Sequence, residues 1–454
     1  MKSYKEAKWV IACVMISVLL MSILAACAPT PPVEKPKIKI GAIGPMKDPV
    51  GVCNYNAALM AAEEINAAGG VDIGGKNYEL KVVSADSNEY VSVPDAVSAL
   101  ERLITVDKVD FVVGGARTEA VLAQQEVMAD NKIIFLDTQA ASALLTERIA
   151  KDYDRYKYFF RIQWINSTLA VAPLFSILAG VKSVIKDELG IDKPKIAIMF
   201  EKAVWADPVC AGAKALAPKL GLEYVGTWRP SAMASDVTAE LTAIKAAGAQ
   251  IIFFGAAGPV AVPIARQSGE LKIPAILIGP GAGGSVQKSH WQATGGFCNY
   301  QVIAGLPFGP AAITEKTMPF YNKYTEKFGD YPEASGCAYD AVYILKEALE
   351  RAGTIESDAV IAELEKTDYR GVIGRIAFFP KDHKYPHDII WGAKYTTLLG
   401  QQWQDGEIKV FWPDGKALPS FLTPDYAEWE GLRYPGTVDL KLPPWMIEYW
   451  KGKS

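Results

Sequence analysis

Lys37-Ile38-Lys39-Ile40-Gly41-Ala42-Ile43 opens the stretch whose reading decides the fold. It reads as a strand. Residues 54–68 then place Leu59, Ala62 and Ile65 on one helical face and stop at Gly69-Gly70, and 80–84 read as the next strand. The rhythm continues with a helix over 93–106, a strand over 111–114, a helix over 118–129 and a strand over 133–136. At Lys195-Ile196-Ala197-Ile198-Met199-Phe200 the pattern restarts. Helices over 206–220, 237–247 and 260–268 then alternate with strands over 222–227, 251–254 and 276–278.

Continuous apolar strands alternating with amphipathic helices imply parallel sheets covered on both faces. Two such runs imply an α/β protein of two doubly wound, Rossmann-like lobes. Extended stretches at 159–167, 300–310 and 371–379 supply three hinge crossovers between them, and long helices are expected over 315–328 and 336–352. The expected division is 37–163 and 306–372 for the first lobe, and 164–305 and 373–411 for the second. Residues 412–454 form a Pro- and Trp-rich extension without a clear period, expected to wrap the fold in order.

A chain of 454 residues with half its residues apolar is comfortable as two domains with sizeable cores. The net charge of −4 carries no basic footprint of a nucleic-acid binder.

The amino terminus has its own chemistry. Lys2, Lys5 and Lys8 precede an uncharged apolar run over 9–24, which ends at Leu24-Ala25-Ala26-Cys27. That is the form of a secretory signal over 1–26. The ending resembles the lipobox of bacterial lipoproteins, which implies cleavage before Cys27 and a diacylglyceryl group on its thiol. The alternative is an uncleaved anchor helix. Both place the remainder outside the cytoplasm. Removing Lys2, Lys5, Lys8 and Glu6 takes the net charge from −4 to −6. The Pro-rich residues 27–36 then form an extended tether.

Cys53, Cys210, Cys298 and Cys337 remain, with no CxxC motif or Cys/His cluster. Any disulfide is expected within a lobe, since Cys53 and Cys337 fall in the first and Cys210 and Cys298 in the second. His383 and His387 beside Asp382 and Asp388 offer metal-binding chemistry, but in a Pro-broken segment, so no metal is assigned. Residues 279–284 are Gly-rich without GxGxxG spacing, and no GxSxG elbow occurs. No cofactor is expected. With three His, no nucleophile–base pair suggests an enzyme.

Ala61-Ala62-Glu63-Glu64-Ile65-Asn66-Ala67-Ala68-Gly69-Gly70-Val71, between its two strands, resembles the Leu/Ile/Val-type (type I) periplasmic solute-binding proteins of branched-chain amino acid ABC importers. Phe111-Val112-Val113-Gly114, Phe253-Phe254-Gly255, Ile278-Gly279-Pro280 and Ala338-Tyr339-Asp340-Ala341 extend the likeness over roughly 37–410. The resemblance implies a ligand sandwiched between the lobes.

Thr118 opens a helix where the family uses a serine to hold a ligand carboxylate. A helix amino end suits an anion, and Thr also serves as a plain cap. Arg117 could grip a carboxylate or lie solvated beside Glu119. Gln139 and Ala141 align with family residues that contact ligand mainly through backbone groups. Trp205 stands where a family tyrosine covers the ligand from the second lobe, and Trp164 lies at the first crossover. Gly281 replaces the family's glutamate, and Ala256, Ala257 or Gly258 its second-lobe tyrosine. The usual ammonium partners are absent, so the resemblance implies a ligand with a carboxylate or amide end and an apolar or aromatic body. The functional expectation is an extracytoplasmic, lipid-anchored binding protein that delivers this ligand to the permease subunits of an ABC importer. The alternative is a surface-anchored sensor that signals to a membrane receptor.

Overall fold

A computed structural model describes residues 35–453 except 164–165, 281–283, 307, 334 and 424, together with Trp9 and Met15. Cys27, most of the tether, Trp164 and Gly281 lie outside the described residues.

The first apolar run folds as β1 (Lys37–Gly44), and Asp48 caps α1 (Pro49–Ala67) by accepting the Val50 N–H at 3.0 Å. The helix therefore starts five residues before the expected Asn54. Next come β2 (Val71–Ile73), β3 (Lys76–Asp86), α2 (Val93–Thr105), β4 (Phe111–Gly114), α3 (Thr118–Asn131), β5 (Ile134–Asp137), α4 (Leu144–Lys151), α5 (Tyr153–Tyr156) and β6 (Phe159–Arg161). They form a six-stranded sheet in the order β2-β3-β1-β4-β5-β6, parallel except for β2.

The chain then enters the second lobe through α6 (Val171–Leu189). There follow β7 (Lys195–Phe200), α7 (Ala206–Leu216), β8 (Glu223–Trp228), α8 (Thr238–Ala246), β9 (Ile251–Gly255), α9 (Ala261–Glu270), β10 (Ile276–Pro280), α10 (Lys288–Ala293) and β11 (Val302–Leu306). After β11 it returns to the first lobe as α11 (Thr317–Phe328), α12 (Ser335–Ala352) and α13 (Ser357–Leu364). A hairpin follows, of β12 (Asp368–Gly371) and β13 (Gly374–Ala377). The last elements are β14 (Leu399–Gln404), β15 (Glu407–Trp412) and α14 (Pro444–Lys451). The second sheet runs β15-β14-β11-β10-β9-β7-β8, with β14 and β15 antiparallel.

Three local expectations change. Residues 371–379 turn back as the β12–β13 hairpin instead of crossing. Ile373, Ile376, Phe378 and Ile389 pack with Ile40, Phe111 and Leu345 in the first core. The third crossing thus follows Ile389, not residue 372. Purely parallel sheets give way to mixed ones, because the chain adds antiparallel hairpin partners at sheet edges. The helix α6, unforeseen, buries Leu174, Ile177, Leu178, Val181 and Ile185 against the second sheet.

The tail covers the second lobe. Leu418, Leu422, Trp429, Leu440 and Met446 are buried in its core. The indole N–H groups of Trp445 and Trp450 donate to the carbonyls of Ile273 at 2.9 Å and Pro274 at 2.6 Å.

At the hinge, fully buried Arg161 ends β6. Its Nη1 donates to Asp388 Oδ2 at 3.2 Å, its Nη2 donates to the Ser142 carbonyl at 2.6 Å, and its Nε lies 3.6 Å from Asp137 Oδ2. Asn166 Nδ2 adds a bond to Asp388 at 2.8 Å. The first and third crossings are thus tied through one guanidinium and one carboxylate.

Cys53, Cys210, Cys298 and Cys337 are buried free thiols. Burial pushes the Cys210 thiol to about 11 and the Cys298 thiol to about 12.

Candidate functional site

Open α/β sheets bind ligands beyond the carboxyl ends of their strands. On the first lobe this edge is built at the end of β4. Gly114 and Gly115 take φ values of +132° and +79°, and a Cβ on Gly114 would stand 1.9 Å from the Ile43 carbonyl oxygen. Only glycine lets the chain turn so close to β1. Buried Glu89 holds the turn: its Oε2 accepts the N–H groups of Ala116, at 3.0 Å, and Arg117, and its Oε1 accepts the Ser87 hydroxyl at 2.7 Å.

Thr118 is the first residue of α3. It is 1% exposed, and its Oγ1 is buried with no protein hydrogen-bond partner. A hydroxyl in that position, at the positive end of a 14-residue helix, is suited to an anionic or carbonyl oxygen. Gln139, beyond β5, has a buried Nε2 that likewise lacks a protein partner, as does Thr138 Oγ1. Arg117 is occupied: its Nε pairs with Glu119 at 3.2 Å and its Nη1 donates to the Tyr90 carbonyl at 2.9 Å. Ala141 is buried among second-lobe residues, and its carbonyl accepts the Ser167 N–H at 2.6 Å.

On the second lobe β7 runs directly into Glu201. This carboxylate is 2% exposed, accepting the Trp205 indole N–H at 2.9 Å and the Gly258 N–H at 3.0 Å. Trp205 stands at the entry to α7, 6% exposed, its ring 5.7 Å from that of Phe200. The indole also covers Gly255, where a Cβ would come within 2.8 Å of it. The lobes touch where the Val204 N–H donates to Glu119 Oε1 at 3.3 Å, next to Thr118.

That contact sets the start of α3, with Thr118, beside the entry to α7, with Trp205, while Gln139 lies on the first-lobe loop after β5. Sequence reasoning missed Glu89, Tyr90, Glu201 and Glu333. Only Glu201 carried a signal, a lone acidic residue directly after the apolar run that ends at Phe200. The Tyr90 hydroxyl is pushed well above its ordinary range, by burial first and then by Asp48, Glu89, Glu201 and Glu333.

The two histidines are engaged in packing. His387 stacks on Phe160 with centroids 3.9 Å apart and reaches the Phe159 carbonyl and Glu365 through its two nitrogens. His383 stacks on Phe379 at 3.9 Å. Among the described residues no group of three or more His, Cys, Asp or Glu is placed to hold a metal, and no helix is long and apolar enough to cross a membrane.

Two doubly wound lobes, joined by crossings and meeting over polar strand ends, define the architecture of a two-lobed solute-binding protein. The chain belongs to the periplasmic binding protein family, whose model matches residues 37–394. It is a non-enzymatic, extracytoplasmic, ligand-binding class. Leu/Ile/Val-binding protein homolog 7 of Brucella suis biovar 1 is 23% identical over 425 residues, covering 90% of this chain and 99% of its own. A putative branched-chain amino acid ABC transporter from Silicibacter pomeroyi has a similar structure, with a TM-score of 0.70 at 21% identity, over 90% of this chain and 100% of that one. The solute binding protein of an ABC transporter from Rhodopseudomonas palustris BisB5, in complex with 3,4-dihydroxy benzoic acid, gives 0.66 at 20% identity, over 82% and 95%.

Proposed function

We propose that this protein is an extracytoplasmic binding protein, anchored by a lipid on Cys27, that captures a small organic solute between its lobes and passes it to the permease subunits of an ABC importer. One observation carries the binding reading: the unpartnered, buried Thr118 Oγ1 at the amino end of α3. Gln139 Nε2 supports it from the neighbouring loop, and Trp205 offers an apolar wall from the facing lobe. Arg117 serves the turn by holding Glu119 and Tyr90, and Ala141 serves the crossing. Trp164 and Gly281 are assigned to the same cleft on the family resemblance.

The ligand has a carboxylate or amide end. The relatives' names span amino acids and an aromatic acid, and both present that end. Capture follows from differential affinity: a solute that contacts both lobes stabilises the closed arrangement over the open one.

A thermal-shift screen of the mature chain against small carboxylates, amino acids and amides tests the reading. At least one should raise the melting temperature. Its affinity should fall by about 1–3 kcal/mol in Thr118→Ala, the usual loss for a hydrogen bond to a charged group. A screen without any response in the wild-type chain would refute it.

The anchor is tested separately. Cys27→Ala should abolish acyl labelling in cells and leave the precursor uncleaved. Unchanged labelling would refute the lipid anchor while leaving the binding reading intact.

A further inference from the structure

The first sheet's order places β3 and β1 on one side of β4 and β5. Thr118 and Gln139 follow β4 and β5. Asp48 follows β1, and Glu89 and Tyr90 follow β3. β1 and β4 are neighbours, about 4.8 Å apart, so the two groups adjoin along the same edge, with Glu89 reaching across to the turn that leads into Thr118.

The second group is acidic, and it is completed by Glu333, just ahead of α12. Glu333 is 1% exposed. Its carboxyl is met by the backbone N–H groups of Gly284, at 3.0 Å to Oε1, and of Ser285, both on the second-lobe loop after β10, while its Oε2 is buried without a hydrogen-bond partner. Gln287 Oε1 and Ser335 Oγ are also buried without partners. Pro49, beside Asp48, closes on the same loop, 3.3 Å from where a Cβ on Gly284 would stand. Asp48, Glu89, Glu201 and Glu333 all act on the Tyr90 hydroxyl, so they surround one region. Among the described residues none of the four forms an ion pair with Lys or Arg. Arg117 acts on Glu89 electrostatically, but its guanidinium is hydrogen-bonded to Glu119 and the Tyr90 carbonyl.

Resting on the solute-binding reading, the geometry points to a second pole of the cleft: Glu333, with Asp48 beside it, receives a protonated amine or amidine at the far end of a solute whose carboxylate or carbonyl end meets Thr118. Buried acceptors without donors call for a donor-rich group, and several carboxylates without a cation call for a positive one. A neutral hydroxyl would satisfy one oxygen and leave the carboxyl protonated, whereas a cation favours its ionised form. The ligand class is thus bipolar.

The protonation of Glu333 agrees. Burial first, and then Asp48, push its carboxyl up to about 8. Asp330 acts in the same direction, and Glu333 in turn raises Cys53, Tyr90 and Tyr324. A cation binds the ionised form. In the empty protein that form is depleted as pH falls below about 8, so affinity for a cationic end must rise with pH from 6 to 8, by up to about tenfold per pH unit.

Calorimetry on the full chain in detergent tests this with 6-aminohexanoate and 4-guanidinobutanoate against hexanoate and 6-hydroxyhexanoate. The amine or guanidine probe should bind, and Glu333→Gln should weaken it by about 30-fold or more, as expected for removing the partner of a buried charge. The wild-type pH dependence gives the same answer without a variant, with hexanoate showing no such rise. Equal binding of the hydroxy and amine probes, no binding of either cationic probe, or indifference to both Glu333→Gln and pH would overturn the inference. If solutes of another class bind and depend on Thr118 alone, the solute-binding reading stands. No solute response at all would overturn both.

Discussion

Arg161→Ala is expected to cost about 3–5 kcal/mol of stability near neutral pH, the penalty for stripping a buried carboxylate of its cation. Arg161, Asp137 and Asp388 are each 0% exposed, and the guanidinium is what holds the first crossing against the third. Burial already pushes the Asp137 carboxyl up to about 8, even with Arg161 beside it. Without Arg161 both carboxyls must move further up and take protons. The sign follows: a buried acid with a raised pKa destabilises the fold as pH rises past its unfolded value, so the variant should recover part of its loss as pH is lowered toward 5. Denaturant unfolding of wild type and variant at two pH values measures both effects. A variant as stable as wild type at pH 7.5 would show that the hinge does not depend on this triad.

Gly114→Ala should be comparably severe, at about 4 kcal/mol or more, in the range reserved for strained or impossible backbone positions. The added methyl would meet the Ile43 carbonyl at 1.9 Å, a backbone atom within the β1–β4 ladder, at φ +132°. A fall of about 10 °C in melting temperature is the expected reading for a lobe of this size. The turn it disrupts presents Thr118, so solute affinity should fall even at temperatures where the variant is folded.

The two lobes were legible because each β/α unit announces itself locally: an apolar run such as 251–254, a helix with one apolar face, and a glycine stop. Other elements were legible only in part. The apolar positions of α6, Leu174, Ile177, Leu178, Val181 and Ile185, do follow a helical spacing, but a nearly continuous apolar stretch beside an extended one hides its period. The β14–β15 hairpin is buried along almost its whole length, so it lacks the alternation that marks a strand with one wet face. The tail has no period because its Trp and Leu side chains fill gaps on an existing surface.

The site divided along the same line. Thr118 is legible as a candidate because a strand, a glycine turn and a helix start are adjacent in sequence. Trp205 is legible as a candidate at the matching place in the second run. Glu333 could not, since its meaning comes from Asp48, 285 residues earlier in the chain, and from the Gly284 N–H across the cleft. Arg161 and Asp388 are likewise 227 residues apart. Nothing in either segment alone marks it as half of an ion pair.

The most direct measurement is calorimetry of one solute from the screen against the wild-type chain, Thr118→Ala and Trp205→Ala, all at a temperature where each is folded. The two residues lie on opposite lobes. A solute held between the lobes must lose affinity in both variants, by about 1–3 kcal/mol for Thr118→Ala and by a similar amount when the Trp205 ring is removed, on the order of 1 kcal/mol or more. Unchanged affinity in both variants would contradict capture in this cleft.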